Sequence, residues 1–280
     1  MQHLIRDAEA RLFAAGIGSA RVDAELVLAH VLAVPRTALL TATAISTADA
    51  DRFAELVERR ANREPLQHIV GTAPFRHLEL AVGPGVFIPR PETELLVDAA
   101  LDVLEAGATV VDLCAGSGAI GLAVLDERPG TRVIAVEHGP AALPWLRRNA
   151  ADTALEVVEG DVRDPNLLYA LYGEADVVLS NPPYVPEGVT VDPEVRADPP
   201  DAVFAGGDGL ALLPAVVARA AELLHVGGFL ALEHDDSHAE LAPLILATDG
   251  RWRDVAGHRD LTGRPRYTTA VRAEADLTDR

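Results

Sequence analysis

The run Ser180-Asn181-Pro182-Pro183-Tyr184 places a carboxamide directly before two residues that carry no backbone N–H. Two prolines fix φ and remove two donors, leaving carbonyl groups that can only accept. An Asn side-chain oxygen beside such a carbonyl offers two acceptors to one point, which suits a planar NH2 group, and the ring of Tyr184 can lie flat against that group. The matching chemistry is alkylation of an amide or amino nitrogen. An amide nitrogen is a weak nucleophile because its lone pair is delocalised. Acceptors on its two hydrogens can localise that density, and they strengthen as positive charge develops on nitrogen in the transition state. Holding the nitrogen in line with the reacting carbon supplies a further large effect. Asn181, Pro182 and Tyr184 are therefore the candidate catalytic residues, and Asn181, Pro182, Pro183 and Tyr184 the candidate substrate-binding set.

A second segment can hold the donor of the alkyl group. Val110 to Gly121 runs from a β-branched strand through Asp112-Leu113-Cys114-Ala115-Gly116-Ser117-Gly118 into a helix. Gly116, Gly118 and Gly121 satisfy G-x-G-x-x-G, a pattern that allows a tight turn and a close approach of ligand to backbone. Glu137 closes the next strand, where a carboxylate can accept from both ribose hydroxyls of an adenosine. NAD and S-adenosylmethionine share that ribose, so the turn alone leaves a dehydrogenase and a methyltransferase open. Asp112 just before the turn, and Asp161-Val162 at the end of the third strand where a carboxylate can meet an adenine amine, tilt the choice toward S-adenosylmethionine. Asp112, Cys114, Ala115, Gly116, Ser117, Gly118, Glu137, Asp161, Val162 and Asn181 form the expected cofactor-binding set. Cys114 is read as a small residue inside the turn and not as a nucleophile.

Composition removes several other chemistries. The chain has 280 residues and a formal charge of −19, and all of its basic side chains are arginine. Without lysine there is no P-loop phosphate anchor, no Schiff base and no lysine aldolase. A single cysteine excludes an internal disulfide and a cysteine-rich zinc site. The negative charge argues against broad binding to nucleic-acid phosphates. His234 and His238 stand four apart in HDDSH but lack the Glu of the metalloprotease motif, so no metal site is expected. Arg90 is read either as part of the active-site rim or as half of a structural ion pair. The arginines between Arg251 and Arg266 are read either as an RNA contact or as partners of nearby acids. The N-terminus lacks the apolar core of a secretory signal, and no apolar run reaches the length of a membrane span, so a cytoplasmic protein is expected.

These motifs need a frame. Residues 1–64 carry three stretches of helical apolar periodicity, broken at Gly16, Gly18 and Pro35, and predict a small helical domain. It is either a structural cap or a recognition domain, and we take it as substrate recognition. Residues 65–91 alternate and are broken by Gly71, Pro74, Gly83 and Pro84, predicting a β-hairpin connector. From residue 92 to 280, helices and strands alternate. Expected helices include 209–228, and WRDVAGHRDLTGRPRYTTAVRA supplies one or two closing strands. The expected fold is α/β: a doubly wound, mostly parallel sheet with ligands at the carboxyl ends of its strands.

Taken together, FIPRPETELLVD (87–98), DLCAGSGAIGLAV (112–124), SNPPYVP (180–186) and AGGDGL (205–210) resemble the release-factor glutamine methyltransferase family, and the likeness spans nearly the whole chain. The resemblance implies a class I, Rossmann-like methyltransferase domain behind a helical N-terminal domain, with S-adenosylmethionine as cofactor. It implies transfer of a methyl group to the N5 amide of the glutamine in the Gly-Gly-Gln motif of class 1 peptide chain release factors. It puts the cofactor against Cys114 to Gly118, Glu137, Asp161-Val162 and Asn181, and the glutamine against Asn181 to Tyr184. The chain departs from the family at Cys114, where a glycine is usual, at Asp198-Pro199 in place of Glu-Pro, and at Asp235-Asp236-Ser237 where glycine is frequent. Cys114 is expected to be tolerated provided position 114 does not need positive φ. The residues by themselves leave open methylation of a ribosomal-protein glutamine, amino methylation of a DNA or RNA base, an NAD-binding oxidoreductase, and a non-catalytic adenosine-binding module.

Overall fold

The computed structural model describes residues 1–41 and 44–274, which divide into two compact units. The first comprises Met1–Thr72, Val82–Pro84 and Val191–Ala197. Its helices are α1 (Gln2–Ala14), α2 (Ala20–Leu32), α3 (Thr47–Ala61) and α4 (Leu66–Val70), with a 3-10 turn at Arg36–Leu40. Ser46 caps α3 by accepting from the Asp49 amide, and the αL residue Ala33 ends α2. The apolar faces pack around Ile5, Leu12, Val27, Leu28, Phe53 and Leu56. Asp23 and Arg60, both buried, pair at 2.7 Å, and Arg60 and Arg63 both hold Glu194, at 2.8 and 2.6 Å. The segment 191–197, far along the chain, thus belongs to the helical unit.

The second unit comprises Ala73–Ala81, Gly85–Thr190 and the chain from Asp198 onward. The connecting stretch opens with α4 and only then forms a hairpin, β1 (Thr72–Phe75) and β2 (Leu78–Ala81). Residues 66–70, expected as extended, turn helical after Pro65 and stop at the αL residue Gly71. There follow α5 (Glu94–Leu101), β3 (Thr109–Leu113), α6 (Ala119–Glu127), β4 (Arg132–Glu137), α7 (Leu143–Ala150), β5 (Glu156–Glu159), β6 (Ala175–Ser180), α8 (Pro200–Val203), α9 (Leu213–Leu223), β7 (Leu224–Glu233), α10 (Leu241–Asp249), β8 (Trp252–Arg259) and β9 (Pro265–Arg272).

The last seven strands form one sheet in the order β5-β4-β3-β6-β7-β9-β8, parallel up to β7 and closed by the antiparallel pair β9 and β8. Side chains alternate between two apolar layers: Val110, Val133, Ala135, Val177 and Leu179 face one, and Val111, Ile134, Val136 and Val178 the other. Burial on both faces explains why these strands read as continuous apolar runs. The expected helix over 209–228 is shorter, because Leu224 already pairs with Ala175 and the chain turns extended there.

Strand order sets the position of the site. From β3 the chain builds outward through β4 and β5, then returns to place β6 on the other side of β3. Ligands in open α/β sheets bind at such a reversal, outside the carboxyl ends of the two strands. The glycine turn follows β3 and the Asn-Pro-Pro-Tyr run follows β6. Leu113 and Ser180 are register partners, and the buried Ser180 hydroxyl donates to the Leu113 carbonyl at 2.8 Å.

Candidate active site

The turn after β3 takes its shape from backbone conformation. Cys114, Gly116 and Gly118 have φ of 66°, 56° and 85°. Position 114 therefore does need positive φ, so the condition attached to the Cys substitution fails, and a side chain sits where the left-handed region disfavours one by roughly 1–2 kcal/mol. Desolvation around the sulfur, with the negative charge of Glu137 next in size, pushes the Cys114 thiol far above its ordinary value, so it stays protonated. A Cβ on Gly118 would lie 2.6 Å from Leu146 Cδ1, whereas one on Gly116 would meet nothing within 4 Å. Gly118 is thus a packing glycine, and Gly116 leaves open space above the turn.

Carboxylates and one amide pin this turn. Glu137 accepts from the Gly116 amide at 2.7 Å and from the Gly139 amide at 2.5 Å, one on each oxygen. Each oxygen keeps a second lone-pair site, which leaves the acceptors a vicinal diol requires. Asp112 lies wholly buried beneath the turn, where it accepts from the Gly121 amide at the start of α6 at 3.1 Å. Burial, opposed by that amide and assisted by the charge of Glu137, raises its carboxyl to about 8. Asn149 on α7 donates to the Ser117 carbonyl at 2.9 Å and exchanges bonds with both backbone groups of Ala81. Ala115 and Ser117 are buried within the turn.

At the end of β5 the arrangement differs from expectation. Asp161 receives the backbone amide of Arg163 at 2.9 Å, and the Arg163 side chain spans both carboxylate oxygens at 2.6–3.0 Å. That pairing holds the Asp161 carboxyl down at about 2. An adenine amine would reach Asp161 only by displacing an exposed guanidinium. Val162 is buried in the layer beneath.

The loop after β6 is held by side chains from distant positions. Asn181 Nδ2 donates to Thr93 Oγ1 at 3.0 Å, which turns the Asn181 oxygen away from Thr93. Among the described residues no donor reaches Asn181 Oδ1 or the Pro182 carbonyl. Tyr184 donates its hydroxyl to Glu233 at 2.8 Å, and Glu233 is buried at the carboxyl end of β7. The Val185 amide donates to the Val203 carbonyl at 2.9 Å, the Val185 carbonyl accepts from the Ala205 amide at 3.0 Å, and the Glu187 amide donates to the Gly206 carbonyl at 2.8 Å. Gly209 closes this clamp: its φ is +76°, and a Cβ there would lie 2.2 Å from the Tyr184 carbonyl oxygen.

The remaining candidates resolve locally. Arg90 forms an ion pair with the buried Asp198, which also accepts from the Ile88 amide at 3.1 Å, so the FIPRP stretch is anchored to Asp198-Pro199. His234 bonds Thr268 at 3.0 Å and His238 bonds the Asp208 carbonyl at 2.8 Å, each with its own partner. Among the described residues no cluster has the makings of a metal site. Arg251, Arg253 and Arg266 pair with Asp249, Asp254 and Asp260. Thr93, Asn149, Gly209 and Glu233 escaped sequence reading as site residues, although Thr93 lies in PETELL and Glu233 ends the FLALEH strand.

A reversal in a mostly parallel seven-stranded sheet, with a glycine turn on one strand end and the Asn-Pro-Pro-Tyr loop on the next, is the arrangement of a class I methyltransferase fold. Residues 79–197 match the model described as Methyltransferase small domain, and residues 3–71 that described as PrmC N-terminal domain. The chain is 50% identical over 270 residues to the release factor glutamine methyltransferase of Mycolicibacterium smegmatis, covering 96% of both chains. It is 46% identical over 277 residues to that of Streptomyces coelicolor, covering 96% of this chain and 97% of the other. The chain belongs to the release factor glutamine methyltransferase family. Among solved structures, it shares its fold with a T. thermophilus 16S rRNA N2 G1207 methyltransferase in complex with AdoMet and guanosine. The TM-score is 0.50 at 19% identity, over 73% of this chain and 45% of that one. Among the described residues no helix is long and apolar enough to cross a membrane.

Proposed function

We propose that the chain transfers a methyl group from S-adenosylmethionine to the side-chain N5 of the glutamine in the Gly-Gly-Gln motif of class 1 peptide chain release factors, in the cytoplasm. One observation carries the reading: Asn181 Oδ1 and the Pro182 carbonyl are acceptors without donors, at the strand end beside the glycine turn. The names of the two relatives above support the release factor as substrate over a ribosomal protein. The charge of −19 counts against a nucleic-acid base and suits a basic protein loop.

Glu137 would hold the ribose through its free lone pairs, and Cys114 to Gly118 would lie against the rest of the cofactor, with Asp161 and Val162 beside the base and Asp112 supporting from below. When bound, S-adenosylmethionine supplies an electrophilic methyl group on a positively charged sulfur. Asn181 and Pro182 accept the two amide hydrogens of the glutamine, and Tyr184 packs against its plane. These acceptors bind more strongly as the nitrogen becomes positive, which lowers the barrier without a strong base. The excess proton leaves to solvent after transfer. The helical unit recognises the body of the release factor.

The test is incubation with labelled S-adenosylmethionine and, separately, purified release factor, ribosomal protein and nucleic acid. Label on the Gly-Gly-Gln segment of the release factor is expected. Label confined to ribosomal protein or nucleic acid overturns the substrate assignment.

A further inference from the structure

The glycine turn after β3 curls through its own positive φ angles, but those angles do not fix where its far edge stands. That edge is the peptide between Ser117 and Gly118. Its N–H donates to the Ala115 carbonyl at 2.8 Å. Among the described residues α6 sends its carbonyl no donor, because the Gly121 amide turns to Asp112 and the next amide, that of Leu122, reaches Gly118. The donor comes instead from the Asn149 side chain on α7, at 2.9 Å. The same carboxamide grips β2: Asn149 Oδ1 accepts from the Ala81 amide at 2.8 Å, and Nδ2 donates to the Ala81 carbonyl at 3.1 Å. A backbone amide only donates and a carbonyl only accepts, so these three partners leave Asn149 a single orientation.

We propose that Asn149 is a positioning residue for S-adenosylmethionine, tying the Ser117 carbonyl to the β1–β2 hairpin so that the glycine turn holds its binding shape before the cofactor arrives. The hairpin is a firm anchor. At its tip the Arg76 amide donates to Glu94 at 2.9 Å, and the Arg76 guanidinium holds Asp98 on α5 and Glu127 on α6, both at 2.7 Å. Past β2, Gly85 runs so near the loop that follows Glu137 that a Cβ there would lie 2.9 Å from Ala141 Cβ. The hairpin, read from sequence as a connector, thereby acts on cofactor affinity. A turn already in place spares the cofactor the cost of ordering it, so loss of the tether weakens binding. Methyl transfer from bound cofactor is unaffected, because Asn149 bonds to no part of the Asn181 to Tyr184 loop. The role needs one acceptor and two donors on a short side chain: an ionised Asp has no donor, and Ala has neither.

The proposal rests on the glycine turn being the cofactor's seat, so Glu137→Ala is measured beside it. Calorimetric affinity for S-adenosylmethionine, turnover on release factor at saturating cofactor, melting temperature and hydrogen exchange of residues 114–121 are followed. The variants are Asn149→Ala, Asn149→Asp, Ala81→Pro and the double variant Asn149→Ala with Ala81→Pro. Asn149→Ala should lose about 10-fold in affinity, the scale of one hydrogen bond, with turnover within about 2-fold of wild type and faster exchange in 114–121. Asn149→Asp keeps the bond from the Ala81 amide but cannot donate to Ser117, and it should bind no better than the alanine variant. Ala81→Pro deletes a donor outside the turn and should cost about 3-fold in affinity, an effect that should vanish once Asn149 is already alanine. A folded Asn149→Ala protein with wild-type affinity, beside a Glu137→Ala protein that binds weakly, overturns the positioning role alone. So does wild-type affinity in Asn149→Asp, and additive losses in the double variant reject the tether to the hairpin. Wild-type affinity in Glu137→Ala removes the cofactor reading of the turn and the proposal with it. Should Asn149→Ala not fold, Ala81→Pro decides, and wild-type affinity in that variant rejects the proposal.

Discussion

The two strand ends that build the site are held in opposite ways. After β3 the chain shapes itself: positive φ at 114, 116 and 118 curls the turn, and nearby carboxylates bond to backbone amides. After β6 the shape comes from elsewhere, through a side chain 88 residues upstream, another 49 residues downstream from Tyr184, and a glycine pressed on the Tyr184 carbonyl. A backbone-coded turn gives a fixed cradle, which suits a ligand that never changes. The loop after β6 is braced by distant side chains, with Thr93 taking Asn181 Nδ2, and on the proposed function that carboxamide meets the reacting group. On this division, damage near β3 should weaken cofactor binding, and damage near β6 should slow methyl transfer with the cofactor still bound.

The largest effect is expected from Gly209→Ala. Its Cβ would overlap the Tyr184 carbonyl at 2.2 Å in a backbone conformation that already disfavours alanine. Stability should drop by about 2–3 kcal/mol, and turnover should fall on the order of 100-fold as the loop shifts, with cofactor affinity changed only a few-fold; calorimetry beside a turnover assay reads both. Gly118→Ala should do the reverse, because its Cβ would press on Leu146 of α7 and displace the turn. An affinity loss of about 10-fold, equivalent to about 1.4 kcal/mol, with turnover at saturating cofactor nearly intact, would sharpen the division. Equal loss of both would blur it.

Asp112→Asn probes the support beneath the turn through pH. The folded carboxyl is raised to about 8, above the ordinary unfolded value, so the native state binds more protons between roughly pH 4 and 8. The stability linked to this group is complete below the unfolded value and is lost as pH rises through about 8. The asparagine variant lacks that loss, so its melting temperature relative to wild type should be higher at pH 8 than at pH 5. An unchanged difference across that range contradicts the buried protonated state. Cys114→Gly should have the smallest effect, a gain within about 1 kcal/mol, because relief of the left-handed penalty is partly offset by glycine entropy. Thermal denaturation of that variant should show a rise of a few degrees.

The same contrast explains what could be read from sequence. Glycines and acidic residues at strand ends announced the β3 turn, since a backbone that needs positive φ or a close approach selects residues within the turn itself. Cys114 shows the limit: the family pattern marked it as unusual, but φ had to be seen. The parallel sheet was legible because Val110-Val111 and Val177-Val178-Leu179 are buried on both faces. At β6, Asn181 to Tyr184 were visible as a chemical motif, while Thr93 and Glu233 meet Asn181 and Tyr184 through tertiary contacts that no local spacing encodes. Arg163 was missed for the opposite reason: a side chain two residues from Asp161 captured the carboxylate locally. The helix expected over 209–228 overran because pairing of Leu224 with Ala175, a contact across the sheet, ends it.

The most direct test of the account is a single-turnover measurement on Asn181→Ala with the cofactor prebound and release factor in excess. The account predicts methyl transfer slowed by about 100-fold or more while calorimetry shows cofactor affinity within a few-fold of wild type. Parallel loss of affinity and transfer would make Asn181 a cofactor ligand and contradict the separation of roles between the two strand ends.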